Sequence, residues 1–158
     1  MLNGQKVGDT ITFDNIGYSI NNPFVGTHIQ NVKTRANQIG NNIFRACPVL
    51  QSFIGDSITD AGTGLLSNNP VLGNISIPNI VNLGPESLSN SPNIIFDFNF
   101  ENVDNFGSNV FQNNCFIGII GRTITVTAKT IHQISNGGNL EGDLAYLDSN
   151  NTVTFNWV

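Results

Sequence analysis

Few residues in this 158-residue chain have side chains suited to catalysis, and Ser57 is the one set in a suggestive context. It lies in Phe53-Ile54-Gly55-Asp56-Ser57-Ile58-Thr59-Asp60-Ala61, where an apolar run ends in a Gly-Asp-Ser turn. A serine so placed becomes a nucleophile when a base takes its proton and nearby N–H groups hold the oxyanion. The two histidines are His28, in Val25-Gly-Thr-His-Ile-Gln30, and His132, in Lys129-Thr-Ile-His-Gln-Ile134. Both sit inside strand-like patterns, where a structural role is the first reading. Cys47 and Cys115 are the only cysteines, and together with two distant histidines they do not make a zinc pattern. Asp97, Asn99, Glu101, Asp104 and Asn105 put several oxygens close together in sequence, as a calcium loop does. Asn102 stands where such a loop needs a glycine, so the solvated face of a strand is the plainer reading. No metal and no cofactor are expected.

Gly55-Asp56-Ser57 after an apolar run resembles the opening block of the SGNH (GDSL-type) esterases and lipases, over the nine residues Phe53 to Ala61. The resemblance implies a nucleophilic Ser57 at the start of a helix in an α/β frame. It also implies a late Asp-x-x-His base and oxyanion donors from middle Gly and Asn blocks. Elsewhere the chain departs from that pattern. Val25 and Lys129 stand three residues before the histidines, and no Gly-x-Asn-Asp block exists. Asp, Gly and Ser are also what a turn prefers. A GDS-type esterase is therefore a remote alternative, and Gly55 to Gly64 is read as a turn or loop.

The elements that would position these groups read as strands. Good helix formers are scarce, while Asn, Gly, Ser, Thr and β-branched residues dominate. Alternating or apolar runs occur at Asp9 to Asp14, Ile16 to Ile20, Phe24 to Val32, Pro48 to Ile54, Asn74 to Leu83, Asn93 to Glu101 and Asn114 to Ile134. In the Asn93 to Glu101 run, Phe96, Phe98 and Phe100 fall on one face, opposite Asp97, Asn99 and Glu101. "DLAYLD" and "TVTFNWV" suggest a hairpin across Asp148 to Asn151. The best helical window, Val32 to Phe44, breaks at Gly40-Asn41-Asn42. Gly62 to Asn74 and Gly84 to Asn93 read as the longest loops, and no internal repeat is assigned. Eight to ten short strands between Gly/Asn/Ser/Pro turns predict a single all-β domain covering residues 1–158. The expected form is an antiparallel β-sandwich, jelly-roll-like, with at most one short helix.

Composition narrows the function classes. Charged residues make up 11% of the chain, against about 25% in ordinary proteins. There are 26 asparagines, so neutral amides and hydroxyls must solvate much of the surface. Net charge is −5 with six scattered basic residues, too few to converge on a phosphate backbone, so nucleic acid is not an expected partner. No apolar run approaches the roughly 18 to 20 residues of a membrane span. The start, "MLNGQKVGDT", shows no secretory pattern, so buried free thiols are favoured over a disulfide. A charge-poor surface resists burial against neighbours less than an ionic one does.

The resulting expectation is a non-enzymatic structural protein that associates with itself and with other structural subunits in a larger particle. A virion component (minor capsid, spike or fibre) is the setting expected, so the location is a virion or an intracellular assembly. The alternative is a carbohydrate-binding, lectin-like module, in which Trp157, Tyr18 and Tyr146 stack against a glycan. Such aromatics serve more often as core or interface anchors.

Overall fold

A computed structural model describes residues 10–13, 24–94, 98–111, 124–133 and 153–158. Eleven short strands appear among them: β1 (Thr10–Phe13), β2 (Asn31–Thr34), β3 (Gln38–Ile39), β4 (Ser52–Gly55), β5 (Asp60–Ala61), β6 (Asn74–Ser76), β7 (Asn82–Leu83), β8 (Phe98–Phe100), β9 (Asn105–Phe106), β10 (Ile124–Ala128) and β11 (Val153–Trp157). A single 3-10 turn, Thr130–His132, is the only helical element described. The all-β expectation holds, but the arrangement does not. Every strand pair among the described residues is parallel, in sheets ordered β1-β2-β4-β6, β3-β5-β7-β9 and β11-β10-β8. The chain forms a β-solenoid, not an antiparallel jelly-roll sandwich. Antiparallel neighbours need the chain to reverse in a tight hairpin. Here each strand meets its neighbour one full coil later, running in the same direction.

The coil length is read from the register. Asn31 pairs with Ser52, which pairs with Asn74; Gln38, Asp60, Asn82 and Asn105 form the matching column on the second face. These steps are 21 to 23 residues, in the range of short solenoid repeats. The chain therefore does repeat. The segments expected as loops, Gly62 to Asn74 and Gly84 to Asn93, are mostly the turns of successive coils. The Val32 to Phe44 window holds β2, β3 and part of a turn, with no α-helix. Phe24 to Gly26 is a turn rather than the start of a strand. The hairpin expected around Asp148 to Asn151 lies outside the described residues, and β11 itself pairs in parallel with β10.

The turns explain much of the asparagine. Left-handed backbone recurs in two columns: Asn42, Gly64, Glu86 and Asn109, at φ 53° to 64°, and Ala46, Asn68 and Asn90, at φ 53° to 60°. Asparagine tolerates this region better than other residues with a side chain. Glu86 and Ala46 hold it without that tolerance. Glu86→Asn is therefore expected to raise stability by about 0.5–1 kcal/mol, read as a higher urea midpoint at unchanged m. An unchanged or lower midpoint would contradict the strain assigned to this column.

A third column stitches each coil to the one before it. The Cys47 thiol donates to the Phe24 carbonyl (3.2 Å), Asn69 Nδ2 to the Phe44 carbonyl (2.9 Å) and Ser91 Oγ to the Leu66 carbonyl (2.9 Å). All three side chains are buried. On the outer face of the second sheet, Asn82 Nδ2 donates to Asp60 Oδ1, and Asn105 Nδ2 to Asn82 Oδ1 (2.7 Å). Amides thus bond from coil to coil as well as solvating the surface.

Inside, the apolar residues of each strand alternate inward. Val32, Phe53 and Ile75 stack across neighbouring coils, and Leu50 and Leu72 follow the turns. Aromatic clusters occupy both ends of the core. Phe13, Phe24, Phe44 and Phe53 lie at one end, with Phe24 and Phe44 parallel at 5.0 Å. Phe98, Phe100, Phe106 and Phe111 lie toward the other. Phe98 and Phe100 face inward with Asn99 exposed, as the alternation predicts; Phe96 is outside the described residues. Burying such a side chain contributes about 1.5–3 kcal/mol, and it is this core that holds the end strands in place.

Candidate functional site

Ser57 sits between β4 and β5 in a turn closed by the Ile58 N–H donating to the Gly55 carbonyl (3.2 Å). The turn is tied to the next coil: Asn79 Nδ2 donates to the Asp56 carbonyl (2.6 Å) and Ser76 Oγ to the Asp56 carboxylate (3.4 Å). Neither histidine hydrogen-bonds Ser57. His28 is exposed in the segment before β2. His132 is buried, with its ring edge-on to Phe106 at 4.8 Å and its Nε2 3.0 Å from the Val103 carbonyl. A carbonyl only accepts, so Nε2 carries the proton and points into the core. The letters of a nucleophile block here spell a coil turn, and among the described residues no histidine hydrogen-bonds its serine.

The other sequence candidates separate as well. Asn99 Oδ1 accepts the Glu101 N–H (3.0 Å), and the Asp104 carboxylate pairs with Lys129. Asp97 lies outside the described residues, among which no cluster of three or more His, Cys, Asp or Glu side chains occurs. Tyr18 and Tyr146 also lie outside them. Trp157, half-buried on β11, has its ring stacked against Phe155 at 5.0 Å and 8°. The structure thus describes one of the three proposed glycan-stacking residues, Trp157, and sets it beside Phe155 on one face of β11.

Cys47 is a free, buried thiol among the coil-to-coil bonds. Burial pushes its pKa up, partly opposed by hydrogen bonds to Thr27 and Gly26. The thiolate is the reactive form, so iodoacetamide at neutral pH should leave Cys47 unmodified in the folded protein and label it in urea. Peptide mass spectrometry resolves it from Cys115. Fast labelling of the folded protein would contradict this burial.

Among the described residues, β1 and β11 form the edges of their sheets. The Arg35 N–H donates to the Phe13 carbonyl, so Phe13 and Ile11 bond toward β2. Residues alternate along a strand, which turns the N–H and C=O of Thr10 and Thr12 outward. At the other end the Val158 N–H donates to the Ala128 carbonyl. Val158, Asn156 and Thr154 thus face β10, and the polar backbone groups of Val153, Phe155 and Trp157 point away from it. Between these ends, β6 and β8 do not pair among the described residues, and a cleft of about 160 Å³ lies between Ile75, Ile77, Phe98 and Phe100. Of the four exposed large apolar residues among those described, three belong to the terminal coils: Val25 to the first, Ile131 and Val158 to the last two, with Val71 in the middle. No described helix is long and apolar enough to cross a membrane.

Comparisons with protein-family models, curated proteins and solved structures return no match.

Proposed function

We propose that this protein is a non-catalytic structural subunit that associates with copies of itself in a larger assembly. The observation that carries the reading is the pair of parallel strand edges, on β1 and on β11, that no other described strand covers. Exposed edges template pairing with another chain, and proteins that stay apart blunt them with Lys, Pro or inward charges. Thr10-Ile-Thr-Phe13 and Val153-Thr-Phe-Asn-Trp157 contain none of these. The charge-poor composition supports the reading, since little repulsion opposes contact. His28 and His132, neither of which hydrogen-bonds Ser57, support the non-catalytic part. A virion as the setting rested on class-level association, and the link between jelly rolls and capsids does not extend to a parallel solenoid.

Light scattering coupled to gel filtration across a concentration series tests the proposal. The expected result is a mass that rises with concentration above the 17.1 kDa of one chain. A constant 17.1 kDa species at every concentration would overturn it.

A further inference from the structure

Resting on that reading of an assembling subunit, we infer that copies join head to tail, the outer edge of β11 in one copy pairing in parallel with the outer edge of β1 in the next. The two ends match in three respects. First, the hydrogen-bonding phase agrees. Val153, Phe155 and Trp157 present outward N–H and C=O groups at one end, and Thr10 and Thr12 present them at the other. In parallel pairing a bonding residue sits between two bonding residues of its partner, a phase met with Val153 opposite Ile11 and Phe155 opposite Phe13.

Second, that register preserves the in-and-out alternation. Ile11 is buried and Phe13 half-buried on the core side of β1, while Thr10 and Thr12 are exposed. On β11 Phe155 and Trp157 are half-buried, while Thr154 and Asn156 are exposed. Phe155 therefore stacks over Phe13, and Thr154 aligns with Thr12, as like residues stack from coil to coil within the chain.

Third, the ends carry uncovered apolar surface. Val158 is 55% exposed and Ile131 63% exposed beside β11, and Val25 is 43% exposed in the first coil. A contact between two different surfaces is heterologous, and unless a rotation closes it into a ring it continues as a filament. With no charged side chain on either strand, the junction should persist in high salt.

The test uses one variant per end. Thr12→Pro removes an outward N–H from β1, and Val153→Pro does the same at the first residue of β11; proline is tolerated at such edge positions. Circular dichroism checks folding, and Thr10→Pro and Val158→Lys address the same two ends should either variant fail it. Each variant alone should be a monomer. An equal mixture should form a dimer and stop there, because each copy supplies the end the other has lost. If folded single variants assemble as the parent does, the head-to-tail inference falls while self-association stands. A parent that is monomeric at all concentrations overturns both. Assembly of the variants that persists in the mixture beyond a dimer also overturns the inference.

Discussion

Asn69→Ala is expected to lower the unfolding free energy by about 3–5 kcal/mol, since each buried polar group left without a partner costs about 1–3 kcal/mol. Asn69 is fully buried. Its Oδ1 accepts the Cys47 N–H (2.8 Å), and its Nδ2 donates to the Phe44 (2.9 Å) and Leu66 (2.7 Å) carbonyls. The Leu66 carbonyl keeps a second donor in Ser91 Oγ. The Cys47 N–H and the Phe44 carbonyl lose the partner that Asn69 provides, and the removed amide leaves a void. The effect reads as a drop in urea midpoint with m unchanged. A loss below about 1 kcal/mol, the range of an exposed pair such as Asp104 with Lys129, would mean that this column does not join the coils.

Gly84→Ala is the second large effect. Gly40, Gly62, Gly84 and Gly107 follow one another at 22, 22 and 23 residues, at the corner after each strand of the second sheet. A Cβ on Gly84 would lie 2.5 Å from the Gly62 carbonyl carbon and 2.6 Å from its oxygen. Both are backbone atoms of the preceding coil and cannot swing aside, so the coils must part. A cost of about 3 kcal/mol follows, at the upper end for overpacking. Gly73→Ala is the control: its Cβ would meet only the Asn93 carbonyl oxygen, at 3.7 Å, so the change should be within about 0.5 kcal/mol of neutral. Equal effects at the two positions would contradict the close stacking at the corner.

The strands and their inward faces were legible in the sequence because burial of one face imposes period-2 alternation. Ile11 and Phe13 in β1, and Phe98 and Phe100 in β8, follow it. The direction of pairing was not legible from that signal. A solenoid strand has one face in the core and one in water, so it alternates as an antiparallel strand does, unlike the doubly buried strands of most parallel sheets. The information lay at longer range. The glycine column recurs with Pro48, Pro70 and Pro92, each eight residues after its glycine, and with Leu50, Leu72 and Ile94 two residues further on. The asparagine excess pointed to solvation, but Asn42, Asn68, Asn90 and Asn109 serve left-handed turns and Asn69 serves the core. Gly-Asp-Ser at Ser57 suits a coil corner as well as a nucleophile turn, so the local motif alone does not decide between them. The open edges were invisible in the sequence, since an edge exists only once the pairing order is known.

Amide hydrogen exchange at low and high protein concentration tests most directly that the two strand edges are where copies meet. Thr12, Phe155 and Trp157 should exchange freely in dilute protein. They should become protected as the mass rises, while the mid-coil amides of Val32 and Phe53 keep their protection throughout. Exchange at those three amides that stays the same while the mass rises would contradict contact at the edges.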